Sequence, residues 1–184
     1  MNTFLVVSGA LAAIIIFYGI LTYNRFISLG RRRDEAWSGI LVQLKKRHDL
    51  VPNLVETIKA YAAHEKGLLE ELAAKRSMLG GAAPADIARE ENIFGSLLGR
   101  VIALAEAYPD LKASGNFTGL QNSLASIEND IQMSRRYYNG SVRDYNILIE
   151  SFPSLIVAAI FKFKTSSFFE LDDPSEGATP KVEL

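Results

Sequence analysis

Two histidines and no cysteine bound the chemistry open to this chain of 184 residues. Each histidine stands directly before a carboxylate, His48 before Asp49 and His64 before Glu65. A di-metal carboxylate site in a helical bundle draws on Glu-x-x-His pairs, which place both ligands on one helix face. The residue three before His48 is Lys45 and the residue three before His64 is Tyr61, so neither histidine has its glutamate. A zinc-protease His-Glu-x-x-His also fails, because Lys66, Gly67 and Leu68 follow His64 and Glu65. Gly80 and Gly81 lack the further glycine, Lys and Ser or Thr that make a phosphate-binding loop. Nucleophilic catalysis needs a Ser or Thr paired with a His and a carboxylate, and no motif supplies one. Catalytic residues, a metal and a cofactor are therefore not expected, and His48 and His64 read as hydrogen-bonded or exposed helix residues.

More suggestive are polar groups at heptad spacing. Glu128 and Arg135 stand seven apart, as do Asn139 and Asn146. Beside a helix seam such residues are either buried pairs that fix register or members of a solvated face, and the spacing allows both. Tyr137, Tyr138 and Tyr145 read as core and seam residues with a hydroxyl at the edge.

The elements that must position these residues begin with an apolar stretch. Residues 4–22 carry no charge and include Phe4, Leu5, Val6, Val7, Leu11, Ile14, Ile15, Ile16, Phe17, Ile20 and Leu21. As a helix they span ~28 Å, close to the ~30 Å hydrocarbon core of a bilayer. Those eleven residues favour insertion by about 3 to 7 kcal/mol with nothing charged opposing them. A cleavable signal peptide wants a basic n-region and a small-residue cleavage site. The chain has neither, so residues 1–24 are expected to be a retained transmembrane anchor. Arg25, Arg31, Arg32 and Arg33 follow it, which predicts a single pass with the N-terminus outside and the remainder in the cytoplasm. With Lys45, Lys46 and Arg47 they make residues 25–47 basic against only Asp34 and Glu35, although the whole chain carries a net charge of −1. Membrane lipids are the expected partner of this basic segment, with topology as its main role. Nucleic acid is not expected, because the cluster is short and an acidic region follows.

Beyond the anchor, periodicity of three and four marks four helical segments. The first carries Ala36, Trp37, Ile40, Leu41 and Leu44, and Pro52 is expected to break or kink the chain after it. The second, 52–79, repeats Leu54, Ile58, Tyr61, Leu68, Leu72 and Leu79, then stops at Gly80 and Gly81. Pro84 suits the first position of the third, which runs through Phe94, Leu97, Val101 and Leu104 to Tyr108 and is bent or ended by Pro109. The fourth has the plainest pattern, from Phe117 through Leu124, Ile131, Tyr138 and Tyr145 to Phe152, with Asn116 as N-cap and Pro153 as stop. Gly140 weakens it by ~1 kcal/mol relative to Ala and suits a local bend. The expected fold is all-α: a transmembrane helix, then an antiparallel up-and-down four-helix bundle with long helices over residues 25–153.

Residues 154–169 form a separate apolar segment. Leu155, Ile156, Val157, Ile160, Phe161 and Phe163 surround a helix too short to cross a bilayer. Three fates are open to it: packing on its own bundle, burial against a second copy, or lying in the membrane interface. A second copy, and hence a homo-oligomer, is the expected outcome, since a shared anchor concentrates copies. Residues 170–184 are acidic and rich in Pro and Gly, and read as a disordered tail.

The segments RHDLVPNLVETIKAYAAHE, AEAYPDLKASGNFTGLQ and ENDIQMSRRYYNGSVRDYN, with AWSGILVQLKKR before them, resemble the LemA family of bacterial membrane proteins to about residue 169. Arg47, Asp49, Pro52, Asn53, His64, Glu65, Glu106, Tyr108, Pro109, Lys112, Asn116, Phe117, Glu128, Arg135, Tyr138, Asn139, Tyr145 and Asn146 match its signature. The chain departs from it at His48, where the family often has Arg, and at Gly140, where it often has Asp. The resemblance implies an inner-membrane protein with its N-terminus outside, a cytoplasmic antiparallel four-helix bundle, and no established enzymatic activity or cofactor. The expected function is a non-enzymatic scaffold or adaptor at the cytoplasmic membrane face, self-assembling or recruiting protein partners. The alternative is a ligand sensor or enzyme using a polar pocket near Glu128 and Arg135.

Overall fold

A computed structural model describes residues 2–62, 64–75 and 83–170. All of their regular structure is helical: α1 (Asn2–Lys59), α2 (Lys66–Ala74), α3 (Pro84–Leu104), a 3₁₀ turn (Ala105–Ala107), α4 (Pro109–Lys112), α5 (Gly115–Glu150) and α6 (Ser154–Phe161). The acidic tail expected at 170–184 and the stop at Gly80 and Gly81 lie outside the described residues, save Glu170.

The expected break at Pro52 does not occur. α1 is one helix of 58 residues with Pro52 inside it. A proline in a helix interior costs about 3 kcal/mol through a lost hydrogen bond and a ring clash. Its neighbours Val51, Leu54, Val55 and Ile58 are all buried, and each contributes ~1.5–3 kcal/mol, so packing prevails. The break comes instead after Lys59, where the amides of Tyr61 and Ala62 turn back onto the Ile58 carbonyl at 3.0 and 2.8 Å. No glycine or proline marks that turn, and the buried Ala62 holds it in place.

Two further boundaries shift. α3 opens on Pro84 as expected, with Asp86 in its first turn, but ends at Leu104, and residues 105–112 pass through two short turns. α5 begins at Gly115, so Asn116 lies inside the helix rather than capping it. The helix runs unbroken through Gly140 and stops before Pro153.

The chain groups into two compact units. In the unit of Gly39–Arg135 with residues from Phe168 on, α1 supplies Val51, Leu54, Ile58 and Ala62 adjoins it. Leu69 and Leu72 of α2, Phe94, Leu97 and Val101 of α3, Leu111 of α4 and Phe117 and Leu124 of α5 complete that core. In the unit of Met1–Ser38 and Arg136–Ser167, the core is aromatic. Phe26 meets Tyr145 edge-on at 6.2 Å and stacks on Phe163 at 4.6 Å, and Trp37 meets Tyr138 at 5.3 Å. Val157 and Ala158 of α6 pack into the same cluster. α6 ends where Lys162 takes a left-handed φ of 58°. The Phe163 amide then reaches back to the Ala158 carbonyl at 3.0 Å, a capping turn that directs Phe163 onto Phe26.

Candidate functional site

α1 places Arg47 and His48 side by side, and both are buried, at 4 % and 3 % exposure. They belong there because Arg47 falls on the buried stripe Ile40, Leu44, Val51, Leu54, at the same three- and four-residue spacing. α3 answers with Glu91, which occupies the stripe of Ile87, Phe94, Leu98 and Val101 and is itself 3 % exposed. One Glu91 carboxylate oxygen pairs with Arg47 Nη2 and the other meets His48 Nε2 at 2.9 Å. An ionised carboxylate only accepts, so His48 donates in that bond. Arg47 Nη1 donates to Glu128 Oε2 of α5 at 2.8 Å, and the Glu128 side chain keeps 45 % of its surface exposed.

Phe94 forms the apolar wall. The His48 ring stacks on it at 4.1 Å and 17°, and the Arg47 guanidinium carbon lies 5.2 Å from its centroid. Among the described residues, the buried atoms Arg47 Nε and Gln43 Oε1 have no hydrogen-bond partner, a donor and an acceptor one helical turn apart on α1. Arg135 is also buried in this unit.

This arrangement ties three helices together by charge. Among the described residues, no three His, Asp or Glu side chains are grouped to hold a metal ion. A cleft of about 600 Å³ opens between Lys46, Asp49 and Leu50 of α1 and Asn122, Ser123, Ser126 and Ile127 of α5. None of Arg47, His48, Glu91 or Glu128 lines it.

The other unit holds a second polar cluster, built on a strap at 162–167. Asn146 grips Ser166 by its backbone, with Nδ2 donating to the carbonyl at 3.0 Å and Oδ1 accepting from the amide at 2.9 Å. Tyr138 donates its hydroxyl to the Ser167 carbonyl at 3.0 Å. Burial raises the Tyr138 phenol above its ordinary value, while Arg33 draws it down. Arg33 donates to Ser166 Oγ at 2.5 Å and its guanidinium carbon lies 4.8 Å from the Tyr145 ring centroid. Arg32 donates to the Tyr137 hydroxyl at 3.2 Å, and that bond raises its pKa. Two of the juxtamembrane arginines thus have structural partners, while Arg25 and Arg31 remain exposed.

The signature residues therefore divide. Arg47 and Glu128 join the ion-pair cluster, and Tyr138, Tyr145 and Asn146 serve the strap. Phe117 is core, Pro52 is intrahelical and Pro109 opens α4. Asp49, Asn53, His64 and Asn116 are exposed, Glu65, Tyr108 and Asn139 are partly buried, and Glu106 makes an exposed 3.5 Å ion pair with Lys112. Glu91 was expected only as an acidic residue near the start of α3 and not as a site residue, yet a carboxylate inside an apolar three-four repeat was the sign that could have found it. Glu128 makes a cross-helix pair with Arg47.

On α1, residues 4–18, 20 and 21 are exposed, and the uncharged stretch 4–22 is long and apolar enough to cross a membrane. The chain is similar to magnetosome protein MamQ 2 of Paramagnetospirillum magneticum and to magnetosome protein MamQ of Magnetospirillum gryphiswaldense. Each is 25 % identical over 190 residues, covering 89 % of this chain and 69 % of the relative. The LemA family profile matches residues 36–184, and the chain belongs to the LemA family.

Proposed function

We propose that this protein is a non-enzymatic scaffold of the bacterial inner membrane, with a single N-terminal span and an antiparallel four-helix bundle in the cytoplasm. The observation that carries the reading is α1 itself, one helix bearing both the exposed apolar stretch and the core residues Ile40, Leu44, Leu54 and Ile58. An anchor continuous with a core helix ties the packed helices to the bilayer without a flexible linker. The arginines after the span set the cytoplasmic orientation by the positive-inside rule. The relatives are named for a cellular structure, the magnetosome, rather than for a reaction, which accords with a structural role. Self-assembly or capture of membrane or cytosolic proteins is the activity such a scaffold would have.

An enzyme or ligand-sensor reading would want the buried titratable groups in a ligand-sized cleft. The buried Arg47, His48 and Glu91 are instead committed to one another, which supports the scaffold reading. The Cys-free sequence makes the test direct. In intact cells, Cys placed at position 2 should react with an impermeant thiol reagent, and Cys at position 178 only after lysis. Crosslinking in membranes should then recover self-contacts or protein partners. The reverse labelling pattern would overturn the topology, and a chain that crosslinks to nothing would overturn the scaffold.

A further inference from the structure

We propose that α6 is an interfacial membrane helix, lying in the plane of the cytoplasmic leaflet beside the spanning segment of its own α1. The inference rests on the reading of residues 4–22 as a membrane span and specifies what the protein does at the edge of that span.

The first observation is where α6 is held. Phe161 meets Tyr23 at 4.7 Å, and Phe163 meets Tyr23 at 5.8 Å and Phe26 at 4.6 Å. Burial along α1 begins at Thr22, at the end of the uncharged stretch, while Ile20 and Leu21 just before it are exposed. Its own aromatic contacts therefore fix α6 at the level where the span leaves the hydrocarbon.

Direction is the second. α6 turns away from α5 by 95°. Within this unit α5 faces α1 through Tyr145 against Phe26 and Tyr138 against Trp37. A helix perpendicular to that pair runs parallel to the membrane surface when α1 crosses it. Eight residues reach only ~12 Å, so α6 is too short to span on its own.

Third, its faces are unequal in cover but not in chemistry. Ser154, Val157 and Ala158 pack inward, whereas Phe152, Leu155, Ile156, Ile160 and Phe161 are exposed, Phe152 at 79 %. A free interfacial helix needs a polar side for water and an apolar side for lipid. Here the protein itself covers one side, which leaves the apolar remainder for acyl chains. Lys162 and Lys164 follow immediately and are exposed, as is Arg25, so basic side chains border the apolar face as anionic headgroups require. A second copy would bring the same basic side chains to that border, whereas anionic headgroups complement them.

The test uses the full chain in vesicles of phosphatidylethanolamine and phosphatidylglycerol, with single cysteines carrying an environment-sensitive fluorophore at 14, 125, 156 or 160. Lipids brominated near the headgroup or deep in the acyl chain then act as quenchers. Position 14 should be quenched by the deep bromines, 156 and 160 several-fold more strongly by the shallow ones, and 125 by neither. Exchanging Phe152 and Ile160 for Asp should bring the quenching at 156 down to the level of 125. If 14 is quenched while 156 and 160 behave like 125, the inference fails and the span stands. A blue-shifted, unquenched probe at 156 that reverts on dilution into excess lipid would assign the face to a second copy and also overturn it. Absence of quenching at 14 would sink the membrane reading itself.

Discussion

The unit built from Gly39–Arg135 fastens its helices with a buried ion-pair cluster, whereas the unit built from Met1–Ser38 and Arg136–Ser167 uses aromatic rings and a strap whose backbone is held by the neutral side chains Asn146 and Tyr138, with the partly exposed Arg33 on the Ser166 hydroxyl. In the first, Arg47 and Glu91 occupy stripe positions that a Leu would fill without any desolvation cost. In the second, Asn146 does for the strap what a neighbouring β-strand would do, donating to a carbonyl and accepting from an amide of the same residue. The contrast separates register from attachment. A buried ion pair is a poor source of stability but penalises every misalignment that strands a charge, so it suits helices that could otherwise slide along a three-four seam. A neutral clamp on backbone groups carries no such penalty and suits a segment that only has to be held down.

That contrast is broken or sharpened most strongly at Glu91. Glu91→Leu alone leaves Arg47 Nη2 and His48 Nε2 stranded among buried groups, with Glu128 holding only Arg47 Nη1, and should destabilise the protein by ~3–5 kcal/mol. Adding Arg47→Met removes the stranded charge, and the double variant should recover most of the loss, because well-packed apolar replacements of a buried pair are often neutral. Thermal unfolding of the full chain in detergent measures both. A double variant as unstable as the sum of the singles would mean that the ion pair supplies net stability, and the register argument would fall.

How far these features could be read beforehand follows from what each signal physically is. The helix of Phe117, Leu124, Ile131, Tyr138 and Tyr145 was legible because its buried face repeats without interruption, and burial follows that repeat closely. The candidate span was legible because nineteen uncharged residues make a helix long and apolar enough to cross a bilayer. Pro52 left a break and a kink both open, and the helix continues because the local cost of about 3 kcal/mol is smaller than the burial on either side of it. The true end of α1 was invisible: Ala60, Tyr61 and Ala62 are ordinary helix residues, and tertiary packing alone selects the turn. The ion-pair cluster was half legible. Arg47 and Glu91 stand at hydrophobic positions of their repeats, which marks each as buried, but not as partners, because nothing local tells which helices face each other. The strap was illegible, since a side chain that binds backbone 20 residues away leaves no periodicity.

A middle-sized effect is expected at Asn146. Asn146→Ala deletes two hydrogen bonds and leaves the amide and carbonyl of Ser166 to find water, a change of ~1–3 kcal/mol if they remain shielded. The loss should be local. Hydrogen exchange at the Ser166 amide should accelerate strongly in Asn146→Ala, while amides around Leu54 and Phe94 keep their protection. Equal acceleration in both regions would erase the distinction between attachment and register.

The smallest effect belongs to Tyr138, where the clamp acquires a dependence on pH. Tyr138→Phe removes one neutral hydrogen bond to the Ser167 carbonyl and should cost about 0.5–1.5 kcal/mol near neutrality. Burial holds the folded-state phenol above its ordinary value of 10.0, with Arg33 pulling it down and Asp34 adding to the rise. Between the unfolded and folded values the folded chain keeps the proton that the unfolded chain has lost, so unfolding releases a proton and becomes easier as pH rises. The contribution is therefore fully present below about pH 10 and is lost as pH climbs through the folded value. The phenolate also cannot donate to Ser167, so deprotonation and release of the strap go together. Alkaline titration followed by hydrogen exchange at Ser166 or by unfolding midpoint should show a decline above pH 10 that is steeper in the parent than in Tyr138→Phe. Identical alkaline limbs would show that the Tyr138 hydroxyl plays no part in the clamp, leaving Asn146 and Arg33 to hold the strap.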